Sequence, residues 1–265
     1  MVRRLIWVAI AAVALAAIAG TAGAALKQKS VEFTVDGEGE EVAKCKRGQE
    51  AVAGGFFTPE PVLPAFESTR DGKRGWSYRL YAEGDVPATA YVYCDKREPG
   101  LKVKSASVTL KKSFVAQAVT ARCGRGKEAV SGGFEAPLTK LAAVASKRSG
   151  KRTWEAQFIG PPGVEVTAYA LCDKREPDLK AKSASTTVLE TPPTPLTSVT
   201  SPKCKRKQEL RSGGFEIEFT DVMADGGLVN GSQRAGKKAW EVTGFSIGGD
   251  PELTAYAYCD KKEKR

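Results

Sequence analysis

The sequence predicts an all-β chain of three tandem repeats, each closed by its own disulfide, and three observations predict it. The segment TAYVYCDKREP at 89–99 returns as TAYALCDKREP at 167–177 and as TAYAYCDKKEK at 254–264. Two of the six cysteines hold matching places in every copy. Beyond the first 25 residues the sequence alternates apolar and polar residues with period two, is rich in Val, Thr, Tyr and Phe, and is broken by Gly and Pro with no helical stripe. A repeat found at a fixed period outranks length as a guide to domain count.

Residues 1–25 run from Arg3 and Arg4 through the apolar stretch LIWVAIAAVALAAIAG to the small residues Ala22, Gly23, Ala24 and Ala25. This is the layout of a signal peptide, with cleavage fitting after Ala24 or Ala25. The second reading is an uncleaved anchor, since the apolar run is nearly long enough to span a bilayer. The expected location is secreted or cell-surface, with membrane anchoring by this segment as the alternative. The formal net charge is +10, two of those charges being Arg3 and Arg4. A basic exported part favours anionic partners. The competing reading is a solvated mixed-charge face, because 31 acidic residues are interspersed with 41 basic ones.

Each repeat opens with a strand-like run, at 31–35, 105–110 and 183–188, which sets the units at 30–104, 105–182 and 183–265. The first cysteine follows, Cys45, Cys123 or Cys204, and then a glycine pair and an aromatic: Gly54, Gly55, Phe56; Gly132, Gly133, Phe134; Gly213, Gly214, Phe215. The glycines suit a bulge or close packing under a ring. A pattern S-x-R-x-G-K-[RK]-x-W spans 68–76, 146–154 and 232–240, and the closing cysteine is Cys94, Cys172 or Cys259. The paired cysteines stand 49, 49 and 55 positions apart. Six cysteines allow many pairings, but two per repeat at matching places make Cys45–Cys94, Cys123–Cys172 and Cys204–Cys259 the simplest, and export permits oxidation.

In the second unit strands are expected at 105–110, 116–123, 128–135, 141–146, 154–159 and 165–172. The proline-rich stretch 190–202 reads as an extended connector. The expected architecture is three consecutive small antiparallel β-sandwich-like units, with a single threefold β-prism sharing one core as the alternative.

Gly72, Gly150 and Gly236 are expected to bend a hairpin whose returning strand begins at Trp76, Trp154 or Trp240. Each Trp either anchors a small core or offers an aromatic face to a ligand. The tips are basic three times over: Arg70, Lys73 and Arg74; Arg148, Lys151 and Arg152; Arg234, Lys237 and Lys238. They either guard sheet edges or grip an anion, and with the three Trp they are the candidate ligand-binding residues. A second basic group flanks the cysteines: Lys46, Arg47, Lys96 and Arg97, with Arg125, Lys127, Lys174 and Arg175 as counterparts. Asp95, Glu98, Asp173 and Glu176 are expected to neutralise part of it. The closing-strand tyrosines either pack under a second layer or form an exposed stripe.

The chain has no histidine, so the Ser-His-Asp and Cys-His arrangements are absent. No C-x-x-C spacing suggests zinc, and neither metal nor cofactor is expected. The repeated acids Asp95, Asp173 and Asp260 lie among bases that keep them ionised, which argues against acid–base catalysis.

These motifs, namely the cysteine, the Gly-Gly-Phe step, the mid-unit Trp and the Tyr-x-x-Cys close, resemble a repeat module of exported actinobacterial proteins of unknown function. The likeness covers residues 30–265. This chain departs from the module at Lys46, Gly124 and Lys205, where Pro is common after the first cysteine. A fainter similarity is to the vitelline membrane outer-layer protein family, which implies a threefold β-prism. The expected function is an exported, non-catalytic binding or adhesion protein of the cell envelope. Its expected partner is an anionic wall polymer, an acidic glycan or a membrane surface, with nucleic acid less favoured. The alternatives are a purely structural wall component and a carboxylate-based secreted hydrolase.

Overall fold

A computed structural model describes residues 26–60, 63–96, 99–137, 141–175, 178–189, 196–219 and 226–261. The leader lies outside the described residues, as does the first half of the proline-rich stretch. The first repeat forms β1 (Lys27–Lys44), β2 (Glu50–Phe57), β3 (Leu63–Asp71) and β4 (Gly75–Asp95). The second forms β5 (Lys102–Thr109), β6 (Gln117–Arg122), β7 (Glu128–Glu135), β8 (Ala142–Gly150), β9 (Thr153–Ile159) and β10 (Glu165–Asp173). The third forms β11 (Lys180–Thr187), β12 (Thr197–Thr200), β13 (Gln208–Glu218), β14 (Gly226–Ala235), β15 (Ala239–Gly248) and β16 (Glu252–Lys261). All six strands expected in the second unit are present within a few residues. The connector is a correction in part: residues 197–200 are a strand paired with β15, because alternating Thr-Ser-Val-Thr buries Val199.

The three disulfides are Cys45–Cys94, Cys123–Cys172 and Cys204–Cys259, with Cα atoms 5.7, 5.5 and 5.6 Å apart. The first explains a bend. Strands β1 and β4 pair from Lys27 opposite Cys94 to Lys44 opposite Gly75, with a register shift between Val35 and Gly37. Because the two cysteines are bonded, both ends of this long ladder meet at one end of the molecule, and the ladder folds over near Asp36. In the other repeats the fold-over is a chain break, between β5 and β6, β9 and β10, β11 and β12, and β15 and β16.

The repeats then join in a ring. β3 of the first pairs with β7 of the second, β8 of the second with β13 of the third, and β14 of the third with β2 of the first. Hydrogen bonding gives a ten-stranded and a six-stranded sheet, the former split into two faces by the folded β1–β4 ladder. The result is three six-strand faces around one core, the closed prism arrangement and not three separate sandwiches. The open edges at β5, β11 and the start of β1 carry Lys102 and Lys104, Lys180 and Lys182, and Lys27 and Lys29, residues that discourage further strand addition.

The glycine pair makes the ring possible. A Cβ on the first glycine would strike the Trp of its own repeat, at 2.2 Å or less, for Gly54, Gly132 and Gly213. A Cβ on the second would strike a backbone carbonyl of the neighbouring repeat: Ser232 O at 2.5 Å from Gly55, Ser68 O at 2.0 Å from Gly133 and Ser146 O at 2.4 Å from Gly214. The same serines accept the indole N–H: Trp76 to Ser68 at 3.1 Å, Trp154 to Ser146 at 3.0 Å and Trp240 to Ser232 at 2.9 Å. Phe134 meets Phe215 edge-on at 5.9 Å across repeats. The three Trp, the three serines, Phe56, Phe134, Phe215 and these glycines other than Gly133 line a central void of about 20 Å³.

Gly133→Ala is expected to cost about 1–3 kcal/mol by overpacking, read as a lower denaturant midpoint. Gly124→Ala, whose added Cβ meets nothing within 4 Å, is expected to be neutral. Equal midpoints for the two variants would contradict the close approach.

Candidate functional site

Four segments of each repeat converge at the disulfide end. The hairpin tip lies against the first-cysteine turn, because Cys45 N–H donates to Arg74 O, Cys123 N–H to Arg152 O and Cys204 N–H to Lys238 O, each at 2.8 Å. The disulfide adds the end of the closing strand, and the register adds the opening lysine: Lys27 opposite Cys94, Lys102 opposite Cys172 and Lys180 opposite Cys259. The two basic groups that are separate in the sequence are thus one neighbourhood.

The arginines expected at the tips are internal. Arg70 Nη2 donates to Glu50 at 2.7 Å, and the two side chains are 4 % and 1 % exposed. Its Nη1 donates to Leu101 O at 3.2 Å and its Nη2 to Lys73 O at 3.0 Å. Arg148 repeats the set with Glu128, Leu179 O and Lys151 O. Arg234 donates to Leu26 O and Lys237 O, both at 2.8 Å, and Glu209 stands in the acid's place. Burial lowers the Arg234 pKa, opposed by Tyr93 and Glu209. Each arginine therefore ties its hairpin to the start of a following repeat, the third tying back to the first. The donors of Arg70 and Arg148 are thus engaged by a carboxylate and carbonyls, and those of Arg234 by two carbonyls, contacts internal to the fold. Trp76, Trp154 and Trp240 lie in the core, 1–2 % exposed with their N–H groups satisfied.

What stays on the surface is the remainder of each tip and turn. Lys46, Arg47, Lys73, Arg74 and Lys96 are exposed in the first repeat, Arg125, Lys151 and Lys174 in the second, and Lys205, Arg206, Lys207 and Lys237 in the third. Arg152 and Lys238 are half-buried, donating to Cys123 O and Lys205 O. Of the acids expected to neutralise them, the two that are described lie beneath: Asp95 is 1 % exposed and paired with Arg211 of the third repeat at 2.8 Å, and Asp173 is 0 % exposed and paired with Arg175, while Asp71 and Asp178 are exposed at the same end. Glu98 and Glu176, like Arg97, lie outside the described residues. Lys27 loses its proton more readily than an ordinary lysine, first because Lys96 stands near it and then through burial, with Lys46 and Lys29 adding to the effect. An open groove between tip and edge strand is lined by Arg70, Gly72, Lys73, Lys102 and Val103.

The far end differs. Asp36, Glu38, Glu83, Asp85, Asp250 and Glu252 are exposed at the fold-over, together with Phe114, Leu189 and Ile247. The closing-strand tyrosines divide: Tyr93 and Tyr258 are buried edge-on against Trp240 and Trp154 of neighbouring repeats, while Tyr91, Tyr169 and Tyr256 are half-buried. The half-buried Tyr169 and Tyr256 donate to Glu135 and Glu216.

Two signals for the arginine latch stand in the sequence unread: an acid five residues ahead of each Gly-Gly-Phe pattern's second glycine, and Leu-Lys-x-Lys-Ser at 26–30, 101–105 and 179–183. No protein-family model matches the chain, and no curated protein matches it.

Arg148→Ala is expected to destabilise the fold by about 3 kcal/mol, because it leaves the Glu128 carboxylate buried without its cation. Lys151→Ala on the same hairpin is expected to stay within about 0.5 kcal/mol. Chemical denaturation of both variants checks this, and comparable losses would contradict the latch.

Proposed function

We propose that the protein is an exported, non-catalytic binding protein of the cell envelope that holds an anionic polymer or surface against its disulfide end. The observation that carries this reading is the sorting of charge among the described residues there: the acids Glu50, Glu128, Glu209, Asp95 and Asp173 are buried, while bases of all three repeats are exposed and outnumber the exposed acids Asp71 and Asp178 beside them. A cluster in which one sign predominates raises the local concentration of counter-charged ligand, an effect that weakens as salt screens it. The ring places the three repeats' bases on one end of one body, so a long polymer or flat surface meets them together, and weak contacts gain avidity. Lysine and arginine side chains on turns suit recognition of repeated phosphate or carboxylate groups by charge more than by a shaped pocket.

Replacing Lys46, Lys73 and Lys96 with Gln is expected to weaken binding to a phosphate-bearing wall polymer or an acidic glycan by about two orders of magnitude at low salt, at about 1 kcal/mol per base as at an anionic surface. The dependence on salt should flatten with it. Changing Asp36 and Glu83 to Gln at the far end should leave binding unchanged or stronger. Equal binding by parent and triple variant at two salt concentrations would defeat the proposal.

A further inference from the structure

The first two repeats share a latch but not the surface beside it. Glu50 accepts the N–H groups of Gly100 at 2.6 Å and Leu101 at 2.9 Å, while Arg70 holds the Leu101 carbonyl at 3.2 Å. Glu128, Asp178, Leu179 and Arg148 repeat the set. Each latch fixes the start of an edge strand, β5 or β11, against a hairpin tip. Beside the first lies the open groove, about 420 Å³, between Gly72 and Lys73 of the tip and Lys102 and Val103 of the strand. Pockets that take small ligands run from about 300 to 1,000 Å³. Its one lining acid, Glu50, is 1 % exposed and bound to Arg70.

Two substitutions set this groove apart from its counterpart in the second repeat. Asp178 there holds Lys180 at 3.1 Å, whereas the first repeat has Gly100 in its place, and the Lys102 side chain has no hydrogen bond or ion pair among the described residues. Ala181 there corresponds to Val103, an apolar side chain 42 % exposed. The groove thus sets a lysine head beside an apolar wall, with bare backbone at Gly72 and Gly100 that lets a flat ligand come close. A polyphosphate has charge but no apolar face, and a lipid surface is too broad to enter. A sugar unit that bears a carboxylate or phosphate has both, because the C–H face of its ring packs on apolar surface while the anion meets the ammonium. We propose that this groove seats one acidic sugar unit of an anionic glycan, its charge on Lys102 and its ring against Val103; the seat rests on the reading of the disulfide end as an anion-binding surface and narrows the ligand to a saccharide. The latch holds both walls in place beforehand, so little ordering is lost on binding.

The test uses the full secreted chain with two short probes, a tetrasaccharide of uronic acid and inorganic tetraphosphate, titrated by calorimetry at about 0.15 M salt, where separated charges are screened. The parent is expected to bind the tetrasaccharide more tightly than tetraphosphate. Gly100→Asp writes the second repeat's residue into the first, at a backbone φ of 65° against 50° for Asp178, so the fold is expected to tolerate it. It should weaken tetrasaccharide binding about tenfold by setting a like charge beside the ligand's. Arg206→Gln makes the same one-unit change of net charge in the third repeat and should cost about twofold or less. Val103→Ala should weaken the tetrasaccharide roughly threefold and leave tetraphosphate unchanged. Equal losses from Gly100→Asp and Arg206→Gln, an equal effect of Val103→Ala on both probes, or tetraphosphate bound as tightly as the tetrasaccharide would overturn the seat and leave the charge reading standing. So would a parent that holds a long acidic glycan but not the tetrasaccharide, whereas a parent that holds neither would end both.

Discussion

The close approach of backbones at the second glycine of each pair is the constraint on which the rest of the structure depends. Gly55, Gly133 and Gly214 each face a serine carbonyl of the neighbouring repeat at a distance that admits no side chain. The serine's hydroxyl meanwhile receives the indole N–H of its own repeat's Trp, and the first glycine lies under that indole. One short motif therefore sets the packing within a repeat and the joining between repeats. A unit of under 80 residues buries little apolar surface alone. Sharing the Trp and Phe residues around one axis gives the three repeats a core that none has by itself.

Charge sorting follows from how that ring is tied. Each latch takes a carboxylate inward to meet an arginine and, in the first two, backbone N–H groups, and Asp95 and Asp173 are likewise taken inward by Arg211 and Arg175. Charges buried in this way are paired because an unpaired one costs far more than the pair returns. Lys46, Arg47, Lys73, Arg125 and Lys151 of the turns remain exposed. The excess of positive charge at this end is thus a by-product of stabilising the fold, and on the proposed reading it is also what the envelope ligand meets.

Much of the fold is legible in the sequence because it is written locally. Strand alternation such as Trp154, Ala156 and Phe158 and the matched positions of six cysteines need no knowledge of the neighbouring repeat, and the bridges stand where position placed them. The ring is not written locally. Its cross-repeat ladders are as short as Phe215 opposite Ser146 and Glu216 opposite Ala145, too brief to leave a compositional trace beyond the glycine itself. The arginines mislead for a related reason. A residue repeated at one position has a specific duty, but sequence position does not tell a ligand from a buried partner. The partner acid, 20 residues earlier at Glu50 and Glu128, was the missing term.

Calorimetry of the whole chain tests most directly the claim that the three repeats fold as one ring. A single transition is expected, with van't Hoff and calorimetric enthalpies equal, because no repeat can lose its core without exposing its neighbours'. Three separable transitions, or a van't Hoff enthalpy near one third of the calorimetric value, would contradict it.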